Sequence, residues 1–350
     1  MVFIRPVSRS DIDQLVELAA MAGFGLTSLP KDRELLEKRI AQSELSFRLE
    51  PDRPGGELYI FVMEDQQTGT LAGTSCIVSK VGGFEPFYAF QIQTHVHESR
   101  QLGIRKEIPT LYLMALHSGP CEIGGLFLAP AYRKHGNGRL LSLFRFLFMA
   151  DFPYRFEQTV IAEMRGVVDQ DGRSPFWEAL GRHFFDMDFP KADYLSVKDK
   201  QFIADLMPTC PIYIPLLPKE AQEVIGKVHK DTEPALKMLQ DEGFSFSGMV
   251  DIFEAGPVIS ARLFQIRIVK ESLTAQIGEV VSDELGPPCY LVTNSRLDFR
   301  ACSANVEMAP HGGIRIDASV ADALQVQEGD RVRFGRLHPM RNPEETTHEQ

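Results

Sequence analysis

A mixed sheet flanked by helices, with a small β-barrel-like unit after it, is the fold class this sequence predicts: α/β in the broad sense, α+β in its segregation of elements. Three observations predict it. Near the start, Val2-Phe3-Ile4-Arg5-Pro6 reads as a strand and Ile12, Leu15, Val16, Leu18 and Ala19 then recur at helical spacing. In mid-chain an apolar run, Glu122 to Leu128, leads through a glycine-bearing turn into Leu140, Leu141, Leu143, Phe144, Leu147 and Phe148, again at helical spacing, and Thr159 to Met164 supplies the next strand. From Leu263 to Phe334 short strand-like runs are punctuated by Gly286-Pro287-Pro288, Gly312-Gly313 and Gly329-Asp330.

The remaining elements follow in order. Ser10 or Asp11 is placed to cap the first helix. Gly23 to Asp32 is turn-rich, and Lys31 to Ser43 reads as a charged, exposed helix whose inner face is Leu35, Leu36 and Ile40. Tyr59 to Glu64 and Leu71 to Lys80 pair as a hairpin around Gln66-Gln67-Thr68-Gly69. Gln91 to Val96 is a further strand, followed by a less patterned stretch containing Pro109 and Gly119. Ser174 caps a helix whose first turn holds Pro175, with Phe176, Trp177, Phe184 and Phe185 as core. After a Pro-rich apolar stretch from Phe202 to Pro218, two helices, Lys219 to Val228 and Thr232 to Glu242, flank His229. A chain of 350 residues favours two domains, and we divide it into a body at 1–260, a β-rich unit at 261–339 and a polar tail at 340–350.

Composition excludes several functions. A net charge of −11 leaves no diffuse basic field to hold nucleic acid or an anionic membrane, so any anionic ligand must meet a local patch. Five scattered cysteines have neither disulfide nor zinc spacing, and His95-x-His97 has no third ligand at a recognisable interval, so no metal is expected. The apolar stretch Leu140 to Ala150 is interrupted by Arg145 and is too short for a bilayer, which needs about 20 residues. The start shows no signal-peptide zones, and a cytoplasmic protein is expected.

Chemistry concentrates at Arg133-Lys134-His135-Gly136-Asn137-Gly138-Arg139, between a strand and a helix. Glycines there let backbone N–H groups approach a phosphate, and the helix adds its unpaired donors and positive dipole end. The pattern is neither a Walker A loop nor a dinucleotide fingerprint, since Leu141 stands where a third glycine belongs. An ordinary glycine turn with solvated charges fits the same residues.

This strand–turn–helix, set after a strand–helix–hairpin, resembles the GCN5-related N-acetyltransferase fold, in which the turn holds the pyrophosphate of coenzyme A. Gly25-Leu26-Thr27-Ser28-Leu29-Pro30, Arg139-Leu140-Leu141-Ser142, Ala162-Glu163-Met164-Arg165-Gly166, Ser174-Pro175-Phe176-Trp177, Phe202 to Pro208 and Asp251-Ile252-Phe253 resemble the arginine N-succinyltransferase family more closely. The resemblance implies transfer of a succinyl group from succinyl-coenzyme A, a co-substrate with no permanent cofactor beside it, to the α-amine of L-arginine. It puts the acyl-donor contact at Leu126 and the proton donor at His229 and favours substrate contact at Thr27 and Ser28, while Arg165, adjoining Glu163, is by residue type a candidate to clamp a substrate carboxylate. On residue type alone, Leu126 is core with only its backbone available, His229 is a cap or packed residue, and Glu163 with Arg165 make a structural ion pair. The family includes single-chain enzymes and paired subunits acting on arginine and ornithine. A homo-oligomer or a hetero-oligomer with a paralogous subunit is therefore expected, and the rival readings are another donor or amine, or a non-catalytic partner chain.

Overall fold

The computed structural model describes residues 1–22, 26–282 and 284–339. Gly25 of the first quoted motif and the 340–350 tail lie outside them. β1 (Val2–Pro6) leads into α1 (Ile12–Met21), α2 (Arg33–Arg48) and the hairpin of β2 (Leu58–Asp65) and β3 (Leu71–Val78). A second hairpin, β4 (Phe87–Ser99) and β5 (Ile104–Leu116), precedes β6 (Cys121–Leu128), α3 (Asn137–Asp151) and β7 (Thr159–Glu163). Short helices α4 (Pro175–Ala179), α5 (Gly181–Phe185), α6 (Phe189–Ser196) and α7 (Gln201–Leu206) come next, then β8 (Ile212–Tyr213), α8 (Lys219–Val224) and α9 (Glu233–Asp241). β9 (Ser245–Val250) and β10 (Pro257–Arg262) complete the body, and α10 (Arg267–Glu271) opens the last part. That part holds β11 (Leu273–Val281), β12 (Tyr290–Thr293), β13 (Ala301–Ala304), β14 (Glu307–Met308), β15 (Ile314–Asp317), α11 (Ala318–Leu324) and β16 (Arg331–Arg336).

The strands run in the order β14-β15-β11-β16-β12-β13-β1-β2-β3-β6-β7-β10-β9-β4-β5-β8. The C-terminal strands thus continue the body's sheet through antiparallel pairing of β13 with β1. Alternation along β2 sorts the two faces, as period-two side chains must. Leu58, Ile60 and Val62 pack with α1 and α2, while Tyr59, Phe61 and Met63 pack with α3. Every residue of α3 from Leu140 to Met149 is buried, because α10 and the C-terminal strands cover the face that the sheet does not. Phe148 sits among six other aromatic rings of that core and has no exposed surface.

Four local expectations change. α2 runs on to Arg48 because Ser43 and Ser46, buried, donate no solvent contact and instead accept from the N–H groups of Ile60 and Leu58 on β2. Asp11 stands at the start of α1, but its carboxylate is bound by Arg5 at 2.7 Å and by the Ser8 N–H, so it braces the preceding 3-10 turn. Pro109 lies inside β5: on the side away from β4, β8 reaches only Thr110 and Leu111, so no ladder hydrogen bond needs a Pro109 N–H. Phe184 is 41% exposed, whereas Phe176, Trp177 and Phe185 are core, and Ser174 does cap α4 through the Trp177 N–H.

Because Phe148 has no exposed surface and is ringed by rigid aromatics, Phe148→Ala is expected to cost about 3–5 kcal/mol of unfolding free energy. Urea denaturation reads this as a lower midpoint at unchanged m. A loss below about 1 kcal/mol would mean that the cluster can collapse around the gap.

Candidate functional site

β6 and β7 are parallel neighbours, yet they pair only at Cys121 with Val160 and Glu122 with Ile161. Beyond those residues they diverge. On its other side β6 also slips register against β3, opposite Ser75, so that Gly125 and Leu126 form a bulge. Gly125 has φ +61°, and a Cβ there would stand 2.8 Å from Cys76 Sγ, so no other residue fits. The bulge is held from behind: Arg145, buried in α3, donates to the Gly124 carbonyl and to Ser142. No carboxylate is paired with Arg145 among the described residues, and burial pushes its pKa down to about 10. Leu126 turns its side chain into the α3 core, leaving its backbone toward the divergence.

The glycine turn closes the same end of β6. His135 (φ +53°) and Gly136 (φ +76°) take left-handed conformations that swing the chain into α3. The backbone N–H groups of His135, Gly136 and Gly138 donate to no acceptor among the described residues, and a Cβ on Gly138 would meet only Leu128 Cδ2 at 4.0 Å. Arg133, Lys134 and His135 are exposed around them. This is a cradle that a phosphate group fits. The other two residues of the motif face inward: Asn137, buried, donates to the Tyr132 carbonyl, and Arg139 reaches the Leu337 carbonyl and lies 3.9 Å from Glu242. They build the turn and anchor the C-terminal part to it.

Beside the divergence is a cavity of about 610 Å³, within the range of small-molecule sites. Thr27 and Ser28 line it above Gly124 and Gly125, with Arg39 from α2, Glu122 and Glu163 from the two strands, Lys200, and Asp251 from the loop between β9 and β10. Glu163 is exposed to solvent in the cavity, with protein packed around it on the other sides. Burial, with Glu122 and Asp251 next, therefore lifts its carboxyl well above the usual range, and burial raises Glu122 against the opposing pull of Lys200 and Arg39.

Arg165 and His229 are not among the residues lining this cavity. Arg165 makes no ion pair with Glu163; its Nε is buried without a partner, and its carbonyl accepts the His229 N–H at 2.9 Å. That bond fixes His229 just past the end of β7. The imidazole is half-buried and Nδ1 accepts the Asp231 N–H at 3.2 Å, capping a 3-10 turn. An accepting Nδ1 leaves the ring proton of a neutral histidine on Nε2, as a donor. Sequence reasoning missed Glu122, Arg39 and the buried Glu254 beside them, since nothing in their local pattern marks which surface they face.

Both parts of the chain match family models, residues 2–268 that of "Arginine N-succinyltransferase beta subunit" and residues 272–336 that of its C-terminal domain. The arginine N-succinyltransferases of Escherichia coli O139:H28 and Shigella flexneri are each 43% identical over 340 residues, covering 96% of this chain and 98% of theirs. The solved structure of arginine/ornithine succinyltransferase subunit AI from Pseudomonas aeruginosa superposes with a TM-score of 0.88 at 37% identity, covering 97% of this chain and 99% of that one. Among the described residues no helix is long and apolar enough to cross a membrane.

Glu254 offers a test of the local electrostatics. It is 7% exposed; Oε1 accepts the Gly166 N–H and Oε2 has no partner. Burial, then Asp251 and more weakly Asp193, push its pKa from 4.5 to about 8, with Arg165 opposing. The folded state then holds a proton that the unfolded chain has lost, so stability falls as pH rises from about 4.5 to about 8. Glu254→Gln keeps the acceptor for Gly166 and has no charge to gain, so its melting temperature should fall less over that interval. Parallel pH profiles for variant and wild type would show that Glu254 is not the titrating group.

Proposed function

The chain belongs to the arginine N-succinyltransferase family, and on that footing we propose that it transfers succinyl from succinyl-coenzyme A to the α-amine of L-arginine, the opening step of arginine breakdown by succinylation. It is an acyltransferase. One observation carries the donor end: three unspent backbone N–H groups, at His135, Gly136 and Gly138, stand at the mouth of the diverging strands. Backbone donors at a helix start suit a pyrophosphate, and Arg133 and Lys134 add nearby positive charge. Leu126 contributes through its backbone, where an N–H can steady the oxygen of the attacked carbonyl.

In this reading the neutral amine attacks the thioester carbon, the C–S bond breaks, the departing thiolate takes a proton from His229, and the proton shed by the amine nitrogen restores it. Thr27, Ser28 and Glu163 face the amine in the cavity, and Arg165 acts by holding His229 through its carbonyl. We further propose that 1–260 carries the chemistry and 261–339 buttresses it, a division supported by Arg333 bound to Asp151 of α3 at 2.7 Å. A cytoplasmic enzyme, working as a homo-oligomer or with a paralogous subunit, completes the reading.

Coenzyme A release by the purified chain tests it directly. Succinyl-coenzyme A should exceed acetyl-coenzyme A by at least about tenfold in kcat/KM, because a succinyl carboxylate leaves water only for a paired site. Equal use of the two would end the succinyl assignment, and no release without a paralogous chain would favour a supporting subunit. Gly138→Ala adds a methyl that touches only Leu128, so folding should hold while the KM for the donor rises; an unchanged KM would remove the turn from the donor site. His229→Asn retains a side-chain acceptor for the Asp231 N–H while losing the acid. It should lower kcat by about 10²–10⁴, less so with a donor whose thiol is more acidic; full activity would take His229 out of the mechanism.

A further inference from the structure

We propose that the cavity is divided by charge: Arg39 anchors a carboxylate of the reacting pair, and Glu122 with Glu163 holds the guanidinium of the amine. The inference rests on the transferase reading above and assigns the contacts which that reading leaves open. Its first support is Arg39. This residue lines the cavity from α2, its Nε is fully buried with no partner, and it makes no hydrogen bond or ion pair among the described residues. A buried guanidinium N–H without an acceptor costs free energy, and a ligand carboxylate removes that cost through a two-pronged contact. Of the other cations of the lining, Lys80 pairs with Glu157 at 3.2 Å, Lys200 pulls on Glu122, Glu163 and Asp251, and Lys38 neighbours Arg39 on α2.

The second support is the acidic side. Glu122 and Glu163 stand on adjacent parallel strands where pairing ends, both reach the cavity, and neither has a hydrogen-bond or ion-pair partner among the described residues. Asp251 is committed to its own loop, where Oδ1 accepts the N–H groups of Phe253 and Glu254 at 2.7 and 2.8 Å. Lys200 acts on both carboxylates and Arg39 on Glu122, and with neither carboxylate hydrogen-bonded the pair leaves room for one more cation. An α-amine that attacks must arrive neutral, so it cannot be that cation through the reaction. A guanidinium keeps its charge at any working pH and offers five donors in a planar fork, which suits two carboxylates on neighbouring strands.

A panel of substrates lacking one group at a time tests this. Turnover of succinyl-coenzyme A with arginine by the wild type judges the functional reading separately. Arg39→Met should then lose at least about tenfold in kcat/KM on that pair, with Arg39→Lys recovering part. If Arg39 binds the acyl carboxylate, the loss disappears when propionyl-coenzyme A replaces the succinyl donor; if it binds the α-carboxylate, the loss disappears with agmatine in place of arginine. The same loss with every donor and acceptor, or none with any, overturns the carboxylate anchor. Glu163→Gln should lose at least about tenfold on arginine and far less on citrulline, the uncharged isostere; equal losses overturn the cation half. Near-UV circular dichroism confirms that each variant is folded. Should the wild type refuse arginine, the functional reading falls, and the same contrasts on whichever charged amine it accepts still decide the inference.

Discussion

The parallel contact between β6 and β7 lasts two residue pairs, and the rest of the site is arranged around its ending. Had the ladder continued, the backbone of Ile123 to Leu128 would be consumed by sheet hydrogen bonds and no opening would exist. Its interruption needs support on three sides. β3 must accept a bulge, which Gly125 permits beside Cys76. α3 must hold the bulge from behind, which buried Arg145 does. β7 must turn from β6, and its other edge stays paired with β10 throughout, from Thr159 with Arg262 to Glu163 with Val258. An unpaired buried arginine is costly to keep, and here it is placed where a carbonyl turned out of the ladder needs a donor.

Charge is distributed with equal economy of elements. The donor end relies on backbone N–H groups and the start of α3, which carry no net charge and need no counter-ion. The opposite face of the divergence carries ionic side chains, and burial above all makes Glu122, Glu163, Asp251 and Glu254 each hold their protons more tightly than a solvated carboxyl would. Two ligands of different character can therefore approach one bulge from two sides without competing for the same groups. His229 belongs to neither set; its place is fixed by a main-chain bond to Arg165, just beyond the end of β7.

Features set by neighbours in sequence were legible from the sequence. The glycine turn announces itself because left-handed backbone at residue 136 demands glycine locally, and the Ser174 cap is a three-residue event. β2 and β3 show as two apolar runs around a short polar turn, because both of their faces are covered. What failed to show depends on distant partners. β5 hides behind Pro109, which is tolerable only because β8 is two residues long. α2 runs past its apparent end because buried serines serve β2 as acceptors. Arg39 reads as one charge among several on a polar helix, and Glu122 as one polar position in an apolar strand; only the packing of α2 over the sheet brings them to a common cavity. Asn137 and Arg139, part of a motif that suggests ligand contact throughout, turn inward because the turn itself must be built from something.

The seam between β1 and β13 joins residue 3 to residue 302. A chain emerging from the ribosome makes its N-terminal sheet first, and for most of its synthesis that sheet ends in an open strand whose partner has not yet been translated. α3 waits in the same condition, one face on the sheet and the other bare until α10 and the last strands arrive. Nascent chains carrying a bare strand edge and an uncovered apolar helix invite association with one another, so the final seventy or so residues act as a closing clasp, and premature termination anywhere before them would leave a sticky fragment in place of a smaller enzyme.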